Sequence, residues 1–186
     1  GPERRIPPHR VNHRANVWAL RELGATAILA TASTGSLKKA IRPGAFVVPH
    51  DFVAFWSIPT FHDEDVVHTT PGLDPGLRDA LVDAGRAVKA SVRTRGVYVQ
   101  TSGPRLETPA EIAHFATFGD VVGMTMASEA TLANELGIPY AAVCSVDNYC
   151  NGIVERPLTF EQIRATQERN RDALVRIVTA AVERVR

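Results

Sequence analysis

The chain has 186 residues, 45% apolar and 22% charged, with a net charge of +1. That length and balance suit one globular domain with a substantial core. They point away from nucleic acid or an anionic membrane surface as the main partner, and no apolar run is long enough to span a bilayer.

Residues 1–10 are rich in Pro and Arg and are expected to be extended, because Pro7 and Pro8 disfavour helix. Nothing in residues 1–5 resembles the apolar segment of a signal peptide. Residues 11–23 read as a helix, with Val11, Ala15 and Trp18 near helical spacing and Gly24 as the stop. Residues 26–32 (TAILATA) suit a buried strand, directly followed by the small residues Ser33, Thr34, Gly35 and Ser36. Residues 45–48 predict another strand, and residues 51–61 read as strand or loop. Residues 62–76 are polar, contain Pro and Gly, and predict a surface loop. Residues 77–92 carry Leu77, Leu81, Val82, Ala84 and Val88 on a helical pattern.

Residues 96–101 predict a strand. Thr108, Pro109 and Glu111 then mark a helix start over 109–118: a capping hydroxyl, proline at the first helical position, and a carboxylate three residues after the cap. Residues 120–123 are strand-like, 128–136 helical with Gly137 as the stop, and 139–146 a buried strand. Residues 147–157 read as an irregular loop. Thr159 opens the last helix, with Gln162 as its capping-box partner and an apolar set from Phe160 and Ile163 to Val182 and Val185. Alternating strands and helices predict an α/β class, with a largely parallel or mixed sheet in a single domain over 1–186.

Four predicted strand ends carry chemistry-bearing residues: Ser33, Thr34 and Gly35; Glu107; Met124 and Thr125; Asp147 and Asn148. In open α/β sheets the carboxyl ends of strands line the ligand crevice. If these ends converge, the site holds hydroxyls and backbone amides in one part and a Glu and an Asn in another. It has no cysteine paired with a base and no Cys/His spacing of a metal site, so positioning and electrostatics would carry the chemistry. Each feature also fits a plain role. Ser33 to Gly35 could be a turn, Met124 core filler, Asn148 a turn residue, and Glu107 a solvated loop acid. Cys144 and Cys150 are compatible with one disulfide, but a chain of this size needs no staple, so reduced cytoplasmic thiols are expected.

Taken together, five segments resemble the trimeric purine nucleoside phosphorylase and methylthioadenosine phosphorylase family. They are residues 11–20 (VNHRANVWAL), 30–37 (ATASTGSL), 103–108 (GPRLET), 122–130 (VGMTMASEA) and 146–148 (VDN). The resemblance implies a phosphorylase/hydrolase-like single domain, a central mixed β-sheet flanked by helices. It implies phosphorolysis of a purine nucleoside, with inorganic phosphate as co-substrate and no cofactor or metal. Carried over by position, Ala32, Ser33 and Thr125 would hold phosphate. The backbone of Thr34 and Gly35 would lie along the base, Leu106 would pack on the purine, and Met124 would lie under the ribose. Glu107 and Asn148 are the expected catalytic pair at the base edge, with Asp147 among the substrate-binding residues. Phe160 would meet the 5′ end of the nucleoside, and His68 would serve a neighbouring subunit's site. A homotrimer or dimer of trimers in the cytoplasm is implied.

Substrate choice follows from donors and acceptors. Asn148 offers one of each and can serve O6 and N7 of a 6-oxopurine, where adenine-specific relatives carry Asp. An ionised Glu107 accepts the N1–H of hypoxanthine or guanine but would face a lone pair on adenine. Where relatives that bind a 5′-hydroxyl carry histidine, Phe160 suits a 5′-methylthio group. The expected substrates are therefore 5′-methylthioinosine, inosine and guanosine. The alternatives are a methylthioadenosine phosphorylase, a nucleosidase using water, or a catalytically silent purine-binding domain. Family members also carry an earlier Gly-rich phosphate loop and an Arg-His pair just before the position of Gly1. Neither is present, and His9, Arg10, His13 and Arg14 do not align with that pair, so the sequence is expected to be a fragment of a longer protein.

Overall fold

The computed structural model of the chain describes residues 6–56 and 58–185. The extended reading of residues 1–5 lies outside these; within residues 6–10 the chain forms a short 3-10 turn, Pro8–Arg10. Helix α1 (His13–Glu22) follows, its start capped by the Asn12 side chain, which accepts from Ala15 N at 3.0 Å.

Among the described residues, seven strands build one sheet: β1 (Ile28–Ser36), β2 (Phe46–Val47), β3 (Asp51–Ala54), β4 (Val92–Arg93), β5 (Val97–Gln100), β6 (Val121–Gly123) and β7 (Tyr140–Tyr149). Helices α2 (Pro75–Ala87), α3 (Pro109–Phe115), α4 (Met126–Glu135) and α5 (Phe160–Arg184) complete the fold. The strand order is β3-β5-β6-β1-β7-β2-β4. β1 runs parallel to β7, whereas β6 on its other side and β2 beyond β7 are antiparallel. The sheet is thus mixed, and β1 and β7 form its long central pair.

β7 shows why the layers form. Tyr140, Ala142, Cys144 and Val146 pack in one cluster with α1 residue Val17 and α4 residues Met126, Ala130 and Ala133. Ala141 and Val143 pack in another with Leu77 and Leu81 of α2 and Ile177 and Ala181 of α5. A strand buried on both faces reads as a continuous apolar run, as residues 139–146 do. A third cluster joins Ile112 and Phe115 of α3 to Leu37, Val99 and Val122.

β1 does not stop at Ala32: residues 33–36 are strand, with a register shift between Thr34 and Gly35. β7 likewise continues through Asp147 and Asn148 to Tyr149. Pairing with each other sustains both strands beyond their apolar runs. β4 pairs in parallel with β2 over only two residues, too short to read from periodicity. The capping box of α3 forms in full, while at α5 Thr159 accepts from Gln162 N as the cap. No described helix is long and apolar enough to cross a membrane.

Candidate active site

A cavity of about 360 Å³ opens where the far ends of β1 and β7 meet the chain leaving β5 and β6. Its lining includes Ala32, Ser33, Thr34, Gly35, Leu106, Glu107, Met124, Thr125, Asn148 and Phe160. The candidate strand ends do converge, though not as a row of parallel carboxyl ends. β6 opposes β1, with Gly35 opposite Val122 and Ser36 opposite Val121, so the chain leaving β6 runs back along β1.

Glu107 is 7% exposed, not a solvated loop acid. Thr101 Oγ1 donates to its Oε1 at 2.7 Å, and Asn151 Nδ2 donates to its carbonyl oxygen at 2.8 Å. The turn before it is set by Gly103, whose φ of +61° favours glycine. A Cβ there would strike Met124 Sδ and meet Pro8 Cγ at 2.8 Å, so Met124 presses directly on the turn that leads to Glu107. The turn after it is the α3 cap. Thr108 N donates to Glu111 Oε2 at 2.8 Å, and Arg105 grips both Glu111 oxygens at 2.7 and 2.8 Å.

Gly35 and Asn148 are register partners across β1 and β7. A Cβ on Gly35 would lie 3.0 Å from Asn148 Nδ2 and 2.5 Å from Cys150 Sγ. Absence of a side chain at position 35 is what gives the Asn148 amide its place. Asn148 Nδ2 donates to the Tyr149 carbonyl at 3.0 Å.

Thr125 precedes α4 but makes no side-chain cap bond. The first amides of α4 are instead occupied from the core. Gln100 Oε1 accepts from Ala127 N at 2.7 Å and Ser128 N at 3.2 Å, and Tyr98 Oη accepts from Met126 N at 3.4 Å. Those donors are spent on the core, and Thr125 itself lines the cavity. Phe160 is 69% exposed although it stands in the apolar set of α5, and it forms cavity wall instead of core.

One residue expected in this chain's own site, Asp147, does not line the cavity. Asp147 is 1% exposed and turns toward α5, with its carboxylate accepting from Ser33 Oγ and Ser145 Oγ, each at 2.5 Å. Burial raises its pKa above the ordinary Asp value, and the hydrogen bonds from Ser145 and Ser33 pull it back down. Asp147 thus faces away from this cavity: neighbouring strand residues face opposite ways, and Asn148 takes the cavity side. His68, expected to serve a neighbouring subunit's site, is exposed and does not line this cavity.

Asn151, Ile163, Pro8 and Leu158 also line the cavity and escaped the sequence reading. Ile163 was findable, since it lies one turn after Phe160 on the same helical stripe. Asn151 carries no pattern; only the fold brings it to Glu107. Cys144 and Cys150 are free and buried, and burial pushes both thiol pKa values up. Among the described residues, no group of three His, Cys, Asp or Glu side chains is placed to hold a metal ion.

A mixed sheet covered by helices on both faces, with a cavity where its central strands end, defines an α/β protein with a ligand crevice at the heart of its sheet. A family model described as the Phosphorylase superfamily matches residues 1–183, and the chain belongs to that superfamily. It is 42% identical over 186 residues to a protein of Archaeoglobus fulgidus named probable 6-oxopurine nucleoside phosphorylase, covering 100% of this chain and 76% of that protein. It is 48% identical over 181 residues to a protein of Methanothermobacter thermautotrophicus named probable S-methyl-5′-thioinosine phosphorylase, covering 95% of this chain and 63% of that one. The structure of methylthioadenosine phosphorylase from Schistosoma mansoni with adenine matches at a TM-score of 0.88 and 30% identity, over 100% of this chain and 74% of that chain.

Proposed function

We propose that the protein is a purine nucleoside phosphorylase, a pentosyltransferase, acting on 6-oxopurine nucleosides. Inorganic phosphate attacks C1′ of 5′-methylthioinosine, inosine or guanosine, and the C1′–N9 bond electrons leave with the purine. The products are the free base and a ribose 1-phosphate, or its 5-methylthio form. The observation that carries this reading is the meeting of Glu107 and Asn148 in one cavity with the end of β1 and the Thr125 hydroxyl. The names of the Archaeoglobus and Methanothermobacter relatives agree with it.

The chemistry follows from the groups. The transition state resembles an oxocarbenium ion, with negative charge building on the departing purine. Asn148 meets that charge at N7 and O6, and a carboxylate Glu107 accepts the N1–H. Ala32, Ser33 and Thr125 form this chain's part of the phosphate subsite, below C1′, where phosphate stabilises and then captures the cation. Thr34 and Gly35 lie along the base, Leu106 packs on it, Met124 supports the ribose, and Phe160 covers the 5′ end. No cofactor takes part in this reading.

The proposal includes a homotrimer, or a dimer of trimers, with His68 completing a neighbour's site. His68 shares its loop with Val66, 88% exposed, and Phe55 and Trp56 stand exposed beside the sheet edge, an apolar surface of the kind that interfaces cover. It also places the enzyme in the cytoplasm, where free thiols persist.

Product analysis of the full-length protein tests this. Cleavage of methylthioinosine and inosine is expected only with phosphate present, and much faster than cleavage of methylthioadenosine. Faster cleavage of methylthioadenosine, or phosphate-independent cleavage, overturns the reading.

A further inference from the structure

Ser33 and Ser145 are register partners on the adjacent parallel strands β1 and β7. Both hydroxyls donate to Asp147, Ser33 Oγ to Oδ2 and Ser145 Oγ to Oδ1, each at 2.5 Å. Each hydroxyl accepts in turn from an amide of α5. Gln167 Nε2 donates to Ser33 Oγ at 2.9 Å, and Asn170 Nδ2 donates to Ser145 Oγ at 2.8 Å. Gln167 and Asn170 stand three residues apart, hence on one face of the helix.

All four bonds run in one direction, from the helix amides through the hydroxyls to the carboxylate. An ionised carboxylate only accepts, so the ordering is self-consistent. Docking a helix on a sheet does not need such a group: an apolar contact does it without the desolvation cost of a buried carboxylate. What sets this network apart is where its ends lie. Ser33 lines the cavity, and so do Phe160 and Ile163 at the start of the helix that Gln167 and Asn170 hold.

We propose that Asp147 is a positioning residue: through Ser33 and the Gln167–Asn170 face of α5 it fixes the spacing between the phosphate subsite on β1 and the wall that receives the 5′ end. The inference rests on the phosphorylase reading given above. It gives Asp147 a role behind the site in place of a substrate contact. It also changes the part of Ser33, whose single hydroxyl proton is committed to Asp147 and is not offered to phosphate.

The test compares Asp147→Ala, Asp147→Asn and Gln167→Ala in the full-length protein, with Ile177→Val as a control in the buried part of the same helix. Phosphate dependence is measured with methylthioinosine and with inosine, and amide hydrogen exchange is followed along α5. Asp147→Ala is expected to raise the KM for phosphate about tenfold and to shift the methylthioinosine-to-inosine ratio of kcat/KM by about threefold or more. Amide exchange should accelerate in residues 160–170 and stay unchanged in 177–184. Asp147→Asn, which keeps one acceptor, should recover part of both effects. Ile177→Val should lower the melting temperature without moving the ratio. If Asp147→Ala fails to fold, Gln167→Ala, on the exposed side of the network, must shift the same quantities in the same direction by a smaller factor. Unchanged phosphate KM, ratio and exchange in the folded variants overturn the proposal. If the wild-type protein shows no phosphorolysis, the functional reading fails, and unchanged exchange in residues 160–170 of Asp147→Ala would still refute the positioning role on its own.

Discussion

Thr101 Oγ1 donates a 2.7 Å hydrogen bond to Glu107 Oε1, joining the residue after β5 to the carboxylate before α3. The hydroxyl proton engages one oxygen and leaves the other for a ligand. Burying Glu107 to 7% exposure makes any mismatch at that second oxygen expensive. Glu107→Gln, which presents a donor where an acceptor is needed, should lower kcat/KM for inosine by about 10- to 100-fold. Steady-state kinetics beside a melting curve checks this. Near-normal rates in a folded variant return Glu107 to a structural role.

Gly35 leaves the space that the Asn148 amide occupies. Gly35→Ala places a Cβ 2.5 Å from Cys150 Sγ, closer than packed atoms tolerate, and 3.0 Å from Asn148 Nδ2, so the Asn148 amide must also give way slightly. The variant should lose activity by about tenfold or more through displacement of Asn148, with a melting temperature only modestly lowered. Asn148→Asp keeps the packing but removes the donor. Its preference should move from methylthioinosine toward methylthioadenosine, read as a ratio of kcat/KM values.

Phe160 stands mostly exposed at the start of α5, so changing it should leave stability nearly intact. Phe160→His should weaken methylthioinosine by about 10-fold while sparing or improving inosine, because a polar ring matches a 5′-hydroxyl better than a thioether. Equal effects on both substrates would remove Phe160 from the 5′ subsite.

The cap of α3 is sensitive to acid. The Arg105 guanidinium and then the Thr108 N–H hold the Glu111 carboxyl down to about 2, from an ordinary 4.5. A carboxyl pKa depressed in the folded state stabilises fully above the unfolded value, and that stabilisation fades as pH falls toward the folded one. The melting temperature of the wild type should therefore exceed that of Glu111→Gln by a constant amount above about pH 5. The gap should close as the pH falls from 4.5 toward about 2. A gap that persists to the acid limit refutes the role of the Glu111 charge.

Much of this protein is local and was legible as such. The α3 start is written in Thr108, Pro109 and Glu111, all within four residues, and the capping box forms as those residue types dictate. The helical stripes of α2 and α5 and the apolar run of β7 likewise reflect periodicity. β4 was not legible, because a two-residue strand is defined by its partner β2 and not by its own residues. Nor was the burial of Glu107, which needs Thr101 and Asn151 from elsewhere in the chain.

Fold class, the caps of α3 and α5 and the residue types at the site are all written in the local pattern of the chain. Which way Asp147 and Asn148 point depends on long-range pairing. Read locally, both follow the end of an apolar strand and either can reach a ligand. Pairing with β1, where Ser33 lies opposite Ser145 and Gly35 opposite Asn148, carries β7 on to Tyr149. Successive residues of a strand face opposite sides, so one of the pair had to leave the cavity. The reason is physical: the length of a strand is set by its hydrogen-bonded partner, and for β7 that partner lies more than 100 residues away.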